Sequence, residues 1–314
     1  MANFENHPLY PGAGVPFFIA AGVLKEAAHF EPFMDIKDPL VVPALTSGGW
    51  TQPNWAGNAT NKDPIDFVYY SDKKMAGNAR GLPGSGLEGM RKLSEPIKRL
   101  SDRGIKTIIQ VTNLPHETPT KVIPMLVEEA MAQNPTAVEV NLSCPNGLKE
   151  DGSFHPPTCN NPEVSAEVMS ASRNRVGEEV CLGAKDSPHV TSLEDQVDEA
   201  GVTDLIIATS PYVDFFTGIN TIGAQPFPEI KCAGGKGGMS GPVVAPIARE
   251  WLKIARAVAD ERIPILSCGG IDSENIATEL PLRQELGAML VGGAQEWYRS
   301  ARPDLLAERW AQAC

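Results

Sequence analysis

The sequence lacks any run approaching the ~20 apolar residues that a membrane-crossing helix needs. Its start, MANFENHPLYPGAG, carries neither the basic flank nor the apolar centre of a secretory signal. Both absences argue against a membrane-tethered, quinone-linked protein. Positive charge is also short: 27 Lys and Arg face 39 Asp and Glu, a net charge of −12. A general nucleic-acid binder needs a basic footprint, as does a protein that docks on anionic membranes, so neither partner is expected. The six cysteines, Cys144, Cys159, Cys181, Cys232, Cys268 and Cys314, include no CxxC pair. Zinc and iron–sulfur ligation therefore have no spacing support, and no metal is expected. Dispersed thiols suit a reducing, cytoplasmic setting. Apart from Cys144 they read as small buried apolar side chains. No linker-like tract, internal repeat or low-complexity segment interrupts the 314 residues. One domain over 1–314, long enough for a sizeable core, is the expectation.

Short β-rich runs alternate with longer amphipathic stretches. The strand candidates are residues 17–22, 40–47, 66–71, 106–112, 136–144, 180–185, either 204–210 or 214–221, 263–270 and 288–293. Several are continuous apolar runs, as in a parallel sheet buried on both faces. Helix candidates fall at 23–34, 86–104, 117–134, 161–177, 192–201, 243–261, 273–286 and 302–313. Thr118 is placed to cap the third of these, and Val122, Met125, Leu126 and Ala130 follow at helical spacing. Ile247, Trp251, Ile254, Ala255 and Val258 form another packed stripe. The alternation leaves an open doubly wound sheet or a closed barrel, and the number of units favours the α/β (β/α)8 TIM barrel. Residues 48–64, 72–89 and 222–242 are rich in Gly, Asn and Pro and follow strands, as do the loops that build active sites on such barrels.

The chemistry concentrates in a few segments. In VEVNLSCPN (138–146) a buried strand ends at Asn141, presents Ser143 and Cys144, and stops at Pro145. A thiol at a barrel rim serves as nucleophile or general base. The carboxamides of Asn141 and Asn146 offer a planar amide ring a donor and an acceptor together. Lys185 closes the next strand, where it is either a solvated rim residue or a fixed positive charge. GGKGGMSGP (234–242), CGGIDSEN (268–275) and LVGGAQ (290–295) place glycines at the last strand ends, with Asp272 or Ser273 to cap the helix that follows the second. Bare backbone amides beside helix starts make a phosphate cradle, usual after the seventh and eighth barrel strands. GNARGLPGSG (77–86) is a further loop able to approach a ligand closely at Gly81.

Taken in order, NLSCPN, Lys185, GGMSGP, and the final GGI and VGGA resemble the dihydroorotate dehydrogenase family, which also includes the catalytic domain of dihydropyrimidine dehydrogenase. The stretch NLSCPNGLKEDG…TCNNPE is similar to a loop of the latter. The resemblance implies an FMN-dependent oxidoreductase with the flavin at the C-terminal face of the barrel, oxidising dihydroorotate to orotate in pyrimidine biosynthesis. It implies Cys144 as the base that removes the C5 proton while hydride passes from C6 to flavin N5. Asn78, Asn146, Asn220 and Thr221 would hold the substrate, with Gly81 and Leu82 in the loop beside it. Asn141 and Lys185 would contact the flavin ring, Ala21 and Gly22 would pack beneath it, and Gly241, Gly269, Gly270, Gly292 and Gly293 would line its phosphate. The family also implies a homodimer, and fumarate or a NAD-linked partner subunit as electron acceptor.

The chain departs from the pattern in two places. Where family members carry a lysine after the second strand, this sequence has Gly48, and no lysine lies between Lys37 and Lys62. Arg80 stands where an uncharged residue is usual. It either points to water or binds a substrate carboxylate, compensating for the lysine or selecting another anionic substrate. The seventh strand is open between two registers: one puts Ser210 at the substrate, the other, preferred here, Asn220. Two alternatives stand beside the leading function. One is a paralogue acting on another dihydropyrimidine or cyclic amide; the other is a flavin-binding barrel without turnover.

Overall fold

The computed structural model describes residues 4–313, so Cys314 lies outside it. Twelve strands are described: β1 (Phe17–Leu24), β2 (Ala44–Trp50), β3 (Phe67–Tyr70), β4 (Met75–Asn78), β5 (Thr107–Val111), β6 (Ala137–Asn141), β7 (Leu182–Lys185), β8 (Phe215–Gly218), β9 (Ile222–Pro226), β10 (Lys236–Ser240), β11 (Ile265–Cys268) and β12 (Ala288–Gly293). Eight of them close into a parallel barrel in the order β1-β12-β11-β8-β7-β6-β5-β2. Its outer helices include Pro119–Met131, Pro162–Val176, Glu199–Thr209, Ala245–Val258 and Ile276–Glu285. This is the expected (β/α)8 TIM barrel.

Strand periodicity divides the core in two. Residues such as Phe17, Ile19, Ile109, Val138, Val140 and Phe216 face the helices. Their neighbours Phe18, Ile108, Ala137, Phe215, Leu266 and Leu290 form a second cluster inside the barrel, with Leu9 of the N-terminal segment packed against it. Above this apolar layer the inward positions turn polar, with Thr46, Gln110, Glu139, Asn141, Lys185 and Thr217 all buried. That change of character toward the C-terminal strand ends marks the functional face.

The other four strands form a small antiparallel sheet, β3-β4-β10-β9. It joins the long loop after β2 to the long loop after β8, with Gly238 opposite Asn78 and Ser240 opposite Ala76. The 66–71 candidate therefore leaves the barrel. All four β3 residues are only half-buried, as suits a covering layer rather than a central strand.

Other boundaries need correction. The apolar run 204–210 is helical, because Asp198 caps Gly201 and Val202, Leu205, Ile206 and Thr209 are buried at helical spacing. A short apolar run alone does not separate the two periods. The proposed helix at 192–201 is accordingly mostly loop. Within 23–34, β1 runs on to Leu24, and helical turns begin only at Ala27. The 86–104 stretch divides into Gly86–Arg91 and Ser94–Ser101, and Gln295–Arg299 is an additional short helix. Thr118 occupies the N-cap position of Pro119–Met131 without a side-chain bond. Asp272, in contrast, accepts from the Glu274 and Asn275 amides just before Ile276–Glu285. Cys159, Cys181, Cys232 and Cys268 are buried and unpaired, as expected.

Behind the glycine turn after β11, Arg283 is completely buried. Its guanidinium donates to Glu279 (3.0 Å), the Ser267 hydroxyl (3.0 Å) and the Gly269 carbonyl (2.7 Å). Glu279 also pairs with Arg249, so removing Arg283 takes one of its two cations and leaves the Ser267 hydroxyl and the Gly269 carbonyl without that donor. Arg283→Leu is expected to cost about 3–5 kcal/mol of stability, measured as a fall in the denaturant midpoint.

Candidate active site

The register of β6 against β7 sets Asn141 opposite Lys185 at the rim. Asn141 is held from three sides. Its Oδ1 accepts from the Ser143 amide (3.0 Å) and hydroxyl (2.9 Å), its Nδ2 donates to Gln110 Oε1 (3.3 Å), and its carbonyl accepts from Thr112 Oγ1 (3.0 Å). This clamp turns the chain so that Cys144 lines the cleft half-buried, unlike the four buried cysteines. Burial pushes the Cys144 thiol above its ordinary value. The Asn146 and Gly147 amides and the Lys25 and Lys185 ammonium groups pull the other way without reversing it.

Lys185 is 5 % exposed and lines the same cleft, and its ammonium makes no ion pair or hydrogen bond with any described residue. It is therefore a fixed charge in the cleft rather than a solvated rim residue. Directly behind it, Asp186 accepts from His189 Nε2 (2.9 Å) and Trp251 Nε1 (2.8 Å), and its carbonyl accepts from the Asn220 amide (3.0 Å). Cys159 completes a compact Cys159–Asp186–His189 group that sequence spacing did not reveal. Its hydrogen bonds tie the ends of β7 and β8 together.

Of the two seventh-strand registers, β8 selects Asn220. It lines the cleft, while Ser210 ends a helix and donates back to the Ile206 carbonyl (2.7 Å). The Asn220 carboxamide is engaged internally, however. Nδ2 donates to Ser143 Oγ (3.0 Å), and Oδ1 accepts from the Thr221 amide (2.8 Å). Asn146 Nδ2 donates to Asn78 Oδ1 (2.8 Å), which leaves Asn146 Oδ1 buried without a partner, as is Thr221 Oγ1. Asn58 fixes this arrangement by donating to the Asn146 and Ala79 carbonyls (2.8 and 2.9 Å). Gly81, at φ +65°, has no room for a side chain because a Cβ would lie 2.3 Å from Asn58 Oδ1. Gly81 and Leu82 both line the cleft.

Arg80 does not point to open water. It lines the cleft, with Nε 3.5 Å from Asp66 Oδ2 and its guanidinium 5.0 Å from the centre of the Tyr298 ring. Gly48 cannot be replaced by any side chain without rearrangement, because a Cβ there would stand 2.2 Å from the Gln110 carbonyl oxygen. A different lysine enters the cleft instead. Lys25, just past β1, donates to the Pro83 carbonyl (2.7 Å). It falls in a stretch read as helix. The signal was nonetheless present, since a lysine directly after an apolar strand is the pattern that singled out Lys185.

The remaining wall is backbone. Gly241, Gly269, Gly270 and Gly293 line the cleft, the first three at φ +102°, +96° and +81°. A Cβ on Gly270 would lie 2.5 Å from the Ala245 backbone. Helix Ala245–Val258 starts there and adds its positive end. Gly292 is the exception to the expected cradle: it packs on β1, where a Cβ would meet the Phe18 carbonyl at 2.2 Å, and it does not line the cleft. Ala21 and Gly22 line the opposite side, and nothing lies within 4 Å of where a Gly22 Cβ would be. The cleft encloses about 1180 Å³ including its mouth. An unpaired buried ammonium, a flat opening over Gly22 and a glycine-lined end beside a helix start fit a flavin mononucleotide.

Known proteins resemble this chain in sequence and fold. A family model described as "Dihydroorotate dehydrogenase" matches residues 13–300. The catalytic subunit of dihydroorotate dehydrogenase B (NAD(+)) from Streptococcus pneumoniae strain R6 is 30% identical over 298 residues, covering 88% of each chain. Dihydroorotate dehydrogenase A (fumarate) from Lacticaseibacillus paracasei is 32% identical over 181 residues, 56% of each chain. Among solved structures, a dihydroorotate dehydrogenase from Eimeria tenella in complex with ferulenol superposes with a TM-score of 0.73. It has 16% identity and covers 95% of this chain and 80% of that one, a likeness of fold. With the family model spanning nearly the whole barrel, the chain belongs to the dihydroorotate dehydrogenase family.

Proposed function

We propose that this protein oxidises dihydroorotate to orotate, with Cys144 as the base and FMN as the bound cofactor. The observation that carries the reading is the convergence of the Cys144 thiol and the unpaired Lys185 ammonium on one cleft. FMN, when bound, supplies a two-electron acceptor for hydride. The chain's own residues do the rest. Cys144 Sγ, as thiolate, takes the proton from C5 of the ring as hydride leaves C6, and a carbon–carbon double bond forms between them. Lys185 places positive charge where electron density accumulates on reduction. Asn78 and Asn146, already paired, hold the ring's amide edge, and the vacant Asn146 Oδ1 accepts from a ring N–H. Gly241, Gly269, Gly270 and Gly293 would hold the phosphate and Ala21 and Gly22 the flavin ring. The electron acceptor is fumarate or a NAD-linked partner subunit, and the assembly a homodimer in the cytoplasm. Among the described residues no helix is long and apolar enough to cross a membrane. The absence of a cation at Gly48 supports one second reading, the same chemistry on another cyclic amide.

The first test is the visible spectrum of the purified protein before and after anaerobic dihydroorotate. Flavin bands that bleach support cofactor and substrate together. Bands that persist keep the cofactor and reject the substrate, and no flavin after reconstitution rejects the oxidoreductase reading.

The thiol makes a second prediction. With Cys144 held above its ordinary value of roughly 8.5, only a small thiolate fraction exists at neutral pH. That fraction grows about tenfold per pH unit, so the logarithm of the flavin-reduction rate should climb with a slope near one into the alkaline range. Cys144→Ala should abolish the slope and cost about 10²- to 10⁴-fold in rate, while FMN and orotate still bind.

A further inference from the structure

The Cys159–Asp186–His189 group lies behind the cleft, and none of its three residues lines it. A thiol sulfur, a carboxylate oxygen and an imidazole nitrogen stand there within 4.8 Å of one another. Cys159 belongs to the helical turn Thr158–Asn160, whereas Asp186 and His189 follow β7, so the fold assembles a set that no local spacing announces. The Asp186 and His189 side chains are 2 % and 7 % exposed, and Cys159 is buried with them. Asp186 is held in one orientation, because its carboxylate accepts from the Ser187 amide (2.6 Å) and from Trp251 Nε1 (2.8 Å). His189 turns Nε2 toward both Asp186 oxygens, at 2.9 and 3.1 Å. Its other nitrogen faces a second carboxylate. Asp198 Oδ1 accepts from the Gly201 amide (3.2 Å), and a Cβ on Gly201 would lie 2.8 Å from both Asp198 Oδ2 and His189 Nδ1. A carboxylate on the Nδ1 side keeps the proton there and leaves Nε2 free as a ligand, the usual arrangement of a metal-binding histidine.

We propose that Cys159, Asp186 and His189 form a binding site for a divalent ion of the zinc type, separate from the cleft. Thiolate, imidazole and carboxylate are the ligands zinc takes, at about 2.0–2.3 Å each. Ligand atoms around such an ion stand about 3–4 Å apart, so small side-chain rotations bring these three onto one centre. The ion replaces the thiol proton and the His189–Asp186 hydrogen bond, and the second Asp186 oxygen is the fourth donor at hand. A thiolate and a carboxylate balance its two charges, and the Ser187 and Trp251 donors are the outer contacts that orient a ligating carboxylate. The site has a mechanical role. The Cys159 amide donates to the Leu142 carbonyl (2.9 Å) at the start of the Cys144 loop, and Asp186 directly follows Lys185. The ion therefore staples the loop that carries the thiol to the strand that carries the ammonium.

The test uses the full chain after iodoacetamide has blocked its accessible thiols, the half-buried Cys144 among them. Zinc is then added and the excess removed. Elemental analysis should find about one zinc per chain, and X-ray absorption at the zinc edge should find one sulfur at about 2.3 Å with nitrogen and oxygen at about 2.0–2.2 Å. Cadmium titrated into the same protein should raise an ultraviolet thiolate-to-metal band that saturates at the same stoichiometry. Cys159→Ser should abolish the band. His189→Gln keeps an amide donor for Asp186 but not the ligand, and should weaken zinc about a hundredfold or more, since even outer contacts cost 10- to 100-fold. Zinc should raise the melting temperature of the wild type and leave both variants unmoved. The absorption measurement needs no variant, so it stands even where a substitution prevents folding. Zinc well below one per chain, a shell without sulfur, a cadmium band that survives Cys159→Ser, or unchanged zinc affinity in His189→Gln overturns the proposal.

Discussion

A buried ammonium without a counter-ion is the constraint around which this barrel is organised. Charge inside a protein is tolerated when it is paired, hydrated or awaiting a ligand. The Lys185 ammonium meets no acceptor among the described residues, although it is buried in the cleft wall. The surroundings keep it there. Asp186, its neighbour in the chain, is turned away and committed to His189 and Trp251. Asn141 across the register is committed to Ser143 and Gln110. Asp186 and Asn141, the two polar groups nearest to it in chain and register, are thus committed elsewhere, and Glu139 lower on β6 accepts from Gln110.

The same economy governs Cys144. Its two nearby ammonium groups favour the thiolate, yet burial outweighs them. A thiol so placed remains protonated at rest, which protects it from oxidation, since the thiolate is the reactive form. The Lys25 and Lys185 ammonium groups both lower the cost of ionising that thiol.

Much of this was legible in the sequence, and the limits are physical. The barrel followed from alternating apolar runs, and the strand ends carrying Asn141, Lys185, Gly269 and Gly293 lie where those runs stop. Cys144 stood out because Pro145 ends the strand beside it. Residues 66–71 misled, and 204–210 stayed open as the less favoured strand, because a short apolar run is compatible with an edge strand, a barrel strand or a helix, and only packing decides among them. Gly292 looked equivalent to Gly293, but alternate strand residues point to opposite sides, and one faces β1. Lys25 and Arg283 were missed for different reasons. Lys25 lay in a stretch assigned to helix. Arg283 is an arginine in a polar helix, and its complete burial follows from Ser267 and Gly269, sixteen and fourteen residues away.

The small antiparallel sheet has a mechanical consequence. Asn78 of β4 pairs with Gly238 of β10, and three residues on, just past the end of that strand, the chain reaches Gly241 at the glycine-lined end of the cleft. The Asn78 and Gly241 sides of the cleft are therefore two ends of one hydrogen-bonded ribbon. The floor of the cleft is built from the closed barrel, whereas Asn78 is carried by a separate ribbon that shares β10 with the approach to Gly241. A displacement at Gly241 therefore has a covalent and hydrogen-bonded route to Asn78 that does not pass through the barrel.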